Sequence, residues 1–308
     1  MTQPRLRTRR GSGVARAMVA ALASTLLLGG CVRALFFHPN KREYSEPEKL
    51  GLVAQDVEFR SDERWLLDGW WLPADPKAGP PRCTVVHAHG NAANITRHLE
   101  AVAWLPPLGV NVLMFDYRGF GLSLGKPSLD GVVADTEAAV HTALRMPGAT
   151  PGRLFVFGQS LGGATAIRAV AELPPGLVQG LIVDSGFARY RDVAHHVANE
   201  IKVLKLFAPI VRETLPGSED DPVTVIANVQ VPVWIIQGDA DRTVPFFQGV
   251  DLYEAAREPK TWVRVAGGEH LDAMTRPEVR AIVWQALRDV CGAAPVAAAA
   301  STPDSAGR

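Results

Sequence analysis

Ser160 stands in Gly158-Gln159-Ser160-Leu161-Gly162-Gly163, a G-x-S-x-G pattern. The run before it, Leu154 to Phe157, is short and apolar, and Leu161 to Leu173 after it has a helical pattern. A serine at a sharp strand-to-helix turn is held up at the strand ends. There the free N–H groups and partial positive charge of the helix start favour an oxyanion. Glycine is needed at 158 and 162 because a side chain would strike neighbouring strands. In a chain with 28 glycines the motif alone is a weak signal, so the strand before it and the helix after it carry the weight.

A hydroxyl of ordinary pKa needs a base before it can attack a carbonyl. Of the eight histidines, His270 follows the last expected strand, in the loop Gly267-Gly268-Glu269-His270. His38 falls in an N-terminal tether, His98 and His141 on expected helices, and His195 and His196 in an insertion. His87 and His89 belong to a strand and the loop after it. Position therefore selects His270. An imidazole base needs an acid to fix its tautomer and stabilise its charged form. The segment Gln237-Gly238-Asp239-Ala240-Asp241-Arg242-Thr243-Val244-Pro245 offers Asp239 and Asp241, and Asp184 ends the preceding strand. Spacing alone does not choose among them. The order Ser160, Asp241, His270 matches the chain order of a strand–elbow–helix hydrolase. For the oxyanion, His89-Gly90-Asn91-Ala92 leaves a strand and brings backbone N–H groups forward. The Asn91 N–H would pair with that of Leu161; the plainer reading is a tight turn satisfied by its own Asn side chains.

These residues need a scaffold, and the pattern supplies one. Asp56 to Phe59 and Arg64 to Leu72 read as an antiparallel hairpin turned by Ser61-Asp62-Glu63. Thr84 to His87, Val110 to Phe115, Leu154 to Phe157, Leu181 to Val183, Val233 to Ile236 and Trp262 to Val265 are short apolar runs, suited to strands buried on both faces. Helical patterns separate them: Thr96 to Trp104, Gly131 to Met146, Leu161 to Leu173, Phe247 to Arg257 and Pro277 to Val290. The alternation predicts an α/β fold, a mostly parallel sheet with helices on both faces. Residues 188–228 exceed a simple crossover and carry a helical pattern from Val193 to Ala208, so a short helical lid insertion is expected there; the alternative is an elongated crossover helix with no role at the site.

The formal net charge is zero, which gives no field for nucleic acid or acidic lipid, and 47% apolar residues can fill a sizeable core. No CxxC or similar ligand cluster occurs, and no metal or organic cofactor is implied. Arg5, Arg7, Arg9, Arg10 and Arg16 precede an apolar stretch, Ala17 to Leu28. At about a dozen residues that stretch is too short to span a bilayer and has the length of a signal-peptide core. It ends in Leu28-Gly29-Gly30-Cys31, which resembles a bacterial lipobox with Cys31 as the lipidated residue; the alternatives are an ordinary cleaved signal or an N-terminal anchor. The residues after Arg9-Arg10 do not strengthen twin-arginine export. Val32 and Arg33 come after the cysteine with no Asp, which favours an outer membrane where one exists. The expected organisation is a signal peptide over 1–30, a tether over 31–51, one catalytic domain over 52–291 and a disordered tail over 292–308. In an oxidising compartment Cys83 and Cys291 could pair, but nothing in the sequence places them close, and two unpaired, buried thiols is the plainer reading.

Taken together, His89-Gly90-Asn91-Ala92, Asp116-Tyr117-Arg118-Gly119-Phe120-Gly121, the Ser160 elbow, Gly238 to Pro245 and His270 resemble the α/β-hydrolase-domain proteins. The nearest group contains the depalmitoylase-like hydrolases and their bacterial relatives, often placed with serine aminopeptidase-like enzymes. The resemblance runs from Val53 to Val290. It implies the α/β-hydrolase fold, Asp241 rather than Asp239 as the acid, Asn91 and Leu161 as oxyanion donors, and Asp116 with Arg118 as a loop-fixing pair. The residues point to acyl transfer on an ester, thioester or amide of a small-molecule or lipid substrate, and the expected lipid anchor favours lipophilic esters or thioesters by location. A non-catalytic envelope lipoprotein on the same fold is the reading of another class, and haloalkane chemistry is disfavoured because the elbow carries Ser where it uses Asp.

Overall fold

A computed structural model describes residues 37–200 and 218–292. The signal peptide, Cys31, residues 201–217 of the expected lid and the tail from 293 onward lie outside the described residues. The strands are β1 (Gln55–Ser61), β2 (Trp65–Leu72), β3 (Cys83–Ala88), β4 (Val110–Phe115), β5 (Leu154–Gln159), β6 (Gly180–Asp184), β7 (Val233–Gly238) and β8 (Lys260–Val265). They form one eight-stranded sheet in the order β8-β7-β6-β5-β3-β4-β2-β1. From β4 to β8 the pairing is parallel, and β1 and β2 run antiparallel at one edge. The hairpin turns at Asp62 and Glu63, both at positive φ.

The helices are α1 (Ile95–His98), α2 (Leu129–Ala143), α3 (Leu161–Glu172), α4 (Tyr190–Glu200), α5 (Pro222–Val225), α6 (Phe246–Ala255) and α7 (Pro277–Cys291). The α2 helix starts two residues before the sequence expectation, because the Ser128 side chain caps it by accepting from Gly131 N. The helix expected from Thr96 to Trp104 is only one turn of α-helix, capped by Asn94, which tightens into a 3-10 turn over Leu99–Ala101.

Alternate residues of each strand feed two cores, as a two-faced sheet requires. In β5, Leu154 and Val156 face one side with Ala139, Val140 and Ile167, while Phe155 and Phe157 face the other with Val279, Val283 and Leu287. The doubly covered sheet puts every parallel strand's carboxyl end at one edge, and the chemistry-bearing loops gather there.

Two expectations are corrected by these contacts. The stretch 31–51 is no free tether from Phe37 onward. Phe37 is buried with its ring edge-on to Phe120, and His38–Pro39 pairs in parallel with Ala92–Ala93. The Asn94 amide donates to the carbonyls of Asn40 and Arg42, so polar backbone that would have gone to water is bonded to the domain. Cys83 and Cys291 are not free thiols but a disulfide, with Cα atoms 5.9 Å apart. They lie 208 residues apart in sequence, and it is the packing of α7 on the sheet that brings them together.

Candidate active site

The β5 strand ends at Gln159, and the next residue turns the chain into α3. Ser160 sits at φ 54, ψ −115, a conformation that costs a non-glycine residue on the order of 1–3 kcal/mol and persists only where its surroundings enforce it. The enforcement is backbone packing. A Cβ on Gly162 would fall on the Ala88 carbonyl, and one on Gly158 on the Gly162 carbonyl. Ser160 N donates to Asp184 O at 2.9 Å, which fixes the turn against β6. No side chain caps the start of α3, while Gly163 N and Ala164 N donate back to Ser160 O at 3.0 and 3.2 Å.

His270 lies in the loop between β8 and α7. Its Nε2 is 3.1 Å from Ser160 Oγ and its Nδ1 is 2.8 Å from Asp241 Oδ2. Asp241 is buried, and its Oδ1 accepts from Thr243 N and Val244 N, both at 2.8 Å. Oδ2 also accepts from Gln237 Nε2 at 3.2 Å. An acceptor-only carboxylate facing Nδ1 makes that nitrogen the donor and leaves the Nε2 lone pair for the serine hydroxyl. Asp239 points elsewhere. It pairs with Arg264 and accepts from Gly267 N, and these bonds hold its pKa below the usual carboxylate value. Asp184 is fully buried and bonded to Gln159 and Ser185, and burial pushes its pKa up to about 6.

The loop bearing Asn91 runs alongside the serine. A Cβ on Gly90 would stand 3.6 Å from Ser160 Cβ and 3.1 Å from the His98 ring, so the loop backbone lies close against the serine and a side chain there would crowd His98. The loop is tied from three sides. Tyr117 Oη donates to His89 O at 3.1 Å, His98 Nε2 to Ala92 O at 3.1 Å, and His38 N to Asn91 O at 3.3 Å. Leu161, the first residue of α3, follows Ser160 directly. Desolvation keeps the surrounding histidines neutral. It lowers His87 to about 3 and His98 to about 4, and puts His89 well below its ordinary value. A cleft of about 360 Å³ runs from His270 past Leu271 and Met274 to Tyr44, Thr96 and Arg97.

Asp116 and Arg118, expected to fix loops, do so through separate partners. Arg118 grips Asp135 through two nitrogens and also reaches Asp62, while Asp116 accepts from Ile95 N at 2.9 Å. Each anchors a different loop, because the turn after β4 directs the two side chains to different elements. Of the interval expected as a lid, α4 lies near the Asp241 loop, with His196 Nε2 donating to Arg242 O at 2.7 Å. Sequence reasoning misses Gln159, Ser185, Gln237 and the strap from Phe37 to Tyr44. Gln159 and Gln237 carry a usable signal, since a polar residue ending a run that must be buried needs a partner. Among the described residues no group of side chains is arranged to hold a metal ion.

The family model "Serine aminopeptidase, S33" matches residues 79–225. YfhR of Escherichia coli strain K12, described as an uncharacterized protein, is 34% identical over 244 residues, covering 78% of this chain and 80% of its own. WAV2 of Arabidopsis thaliana, an α/β-hydrolase domain-containing protein, is 32% identical over 239 residues, covering 73% of this chain and 75% of its own. Among solved structures, the esterase Pf2001 of Pyrococcus furiosus superposes with a TM-score of 0.65 at 23% identity, over 82% of this chain and 98% of that one. At that identity the likeness shows the fold.

Proposed function

The chain belongs to the α/β-hydrolase family, and from that premise we propose that it is a serine hydrolase cleaving carboxylic esters or thioesters through an acyl-enzyme. The observation that carries the reading is the hydrogen-bonded line from Asp241 through His270 to Ser160 at the strained elbow. Ser160 Oγ attacks the carbonyl carbon while His270 Nε2 takes the hydroxyl proton. Asp241 keeps the imidazole in its Nδ1–H tautomer and stabilises it once charged. The oxyanion of the tetrahedral intermediate lies against the Asn91 and Leu161 N–H groups, where each donor contributes a few kcal/mol. Collapse expels the alcohol or thiol, which takes the proton from His270. Water then attacks the acylated Ser160, with His270 again as base, and the carboxylic acid leaves.

Labelling with a fluorophosphonate probe tests this. The wild type should be labelled and Ser160→Ala should not; an unlabelled, well-folded wild type would overturn the reading. The same constellation cleaves amides, and the description of the matching family model as an aminopeptidase favours that second reading. Matched p-nitrophenyl esters and p-nitroanilides separate the two.

The reading extends to location. The lipobox-like Leu28-Gly29-Gly30-Cys31 supports a lipid-anchored protein of the bacterial envelope, in the outer membrane where one exists, and the Cys83–Cys291 disulfide supports an oxidising compartment. A lipid anchor keeps the site near membranes and favours lipophilic acyl substrates. Mass spectrometry of the mature protein should find a diacylglyceryl-modified Cys31 at the N-terminus, and an intact arginine-rich leader would sink the assignment.

A further inference from the structure

We propose that Asp184 and Ser185 form a bracket that sets the distance between nucleophile and base, with the Ser185 hydroxyl as a positioning group for His270. The inference rests on the triad reading and deepens it. Both residues are buried at the end of β6, between the two halves of the site. Towards the nucleophile, Asp184 O accepts from Ser160 N at 2.9 Å, and Asp184 Oδ2 accepts from Gln159 Nε2 at 2.9 Å. Towards the base, Ser185 Oγ accepts from Leu271 N at 3.3 Å, the amide directly after His270. Ser185 N is itself fixed to Ile236 O at 2.9 Å, so the bracket is tied to β7 as well.

The polarity of this network follows from one carboxylate. Ionised Asp184 only accepts, so Ser185 Oγ–H donates to its Oδ1 at 3.0 Å, and the hydroxyl's remaining lone pairs are left for Leu271 N–H. Gln159 must then present its amide to Asp184 and its carbonyl to His87, whose Nε2 donates at 3.1 Å. Ser160, Ser185 and Leu271 all have positive φ, at 54, 54 and 63. Three strained non-glycine residues in hydrogen-bonded succession need surroundings that over-determine them. The bracket supplies that constraint. Removing the Ser185 hydroxyl takes the partner from the half-buried Leu271 N–H and frees the segment after His270 to relax.

The test compares Ser185→Ala and Ser185→Gly with wild type and Ser160→Ala, using p-nitrophenyl butyrate hydrolysis, fluorophosphonate labelling rates and thermal melts. Both Ser185 variants should lose kcat by roughly 10- to 100-fold with KM nearly unchanged, as expected when a reacting pair is misplaced by a fraction of an ångström. The labelling rate should fall in parallel, in a protein that still melts cooperatively near the wild-type temperature. The glycine variant relieves the positive φ while lacking the hydroxyl. If it recovers full kcat, or if both variants label at the wild-type rate, the positioning role is overturned. Should Ser185→Ala fail to fold, Ser185→Gly decides alone. Hydrolysis that survives in Ser160→Ala strikes the triad reading instead, and so separates the two failures.

Discussion

At the carboxyl ends of the parallel strands the chain is strained and polar. Apart from Asp62 and Glu63 in the β1–β2 turn, the described non-glycine residues at positive φ are Ala93, Ser160, Ser185 and Leu271, and all four follow the carboxyl ends of parallel strands. Around them are buried neutral histidines and the raised carboxyls of Asp184 and Asp116, pushed up to about 6 and about 7 by burial. At the amino ends of the same strands the polar groups are paired locally, as in Asn111 with Ala74 N and Gly148 O, and a disulfide fastens Cys83 at the start of β3 to Cys291 at the end of α7. One sheet thus carries its unfavourable geometry at one edge and its covalent closure at the other. Damage to the first edge should therefore appear as lost rate, and damage to the second as lost stability.

The largest effect expected is for Ser160→Ala, which should lower ester hydrolysis by at least about 10³-fold without lowering the melting temperature. A variant that melts far earlier would blur the division between the edges. Asp241→Asn comes next, with a loss of roughly 10³-fold in kcat, since an asparagine no longer enforces the Nδ1–H tautomer. Asp239→Asn should cost less than about tenfold, and the reverse ranking in the same assay would move the acid to Asp239. At the other edge, Cys83→Ser with Cys291→Ser should destabilise by about 2–5 kcal/mol in denaturant unfolding and leave kcat at room temperature within twofold.

The smallest effect depends on pH. The His98 pKa falls from 6.5 in the unfolded chain to about 4 in the fold. The stability that its neutral ring contributes is present above about pH 6.5 and is lost as the pH falls towards 4. His98→Gln removes this linkage, so the stability gap between variant and wild type should shift in the variant's favour by about 2 kcal/mol between pH 7 and pH 5. Parallel curves for the two proteins would mean that His98 is hydrated.

The sequence made the frame legible for physical reasons. Runs such as Val110 to Phe115 are apolar throughout because both faces of a parallel strand are covered, and that pattern survives without any tertiary knowledge. Ser160 and His270 were legible because a strand-end loop is where a fold of this class exposes side chains. What escaped were contacts between distant segments. Nothing local in Cys83 marks Cys291, and nothing in His38 or Asn40 marks Asn91 or Ala93. Ser185 reads as an ordinary loop residue until Leu271 arrives beside it through the far end of the chain. Asp239 and Asp241, two residues apart, were separated by the resemblance and not by spacing, since only the fold shows that Arg264 faces one and His270 the other.

The strap has a mechanical consequence. The chain ahead of residue 37 joins the domain through Phe37 on Phe120, His38 on Asn91 and Asn40 on Ala93. Tension applied to the N-terminus enters the molecule at those contacts, and the loop that takes it runs through Gly90, directly beside Ser160. A load applied ahead of residue 37 would therefore meet the rim of the site, at the loop through Gly90, before it met the sheet.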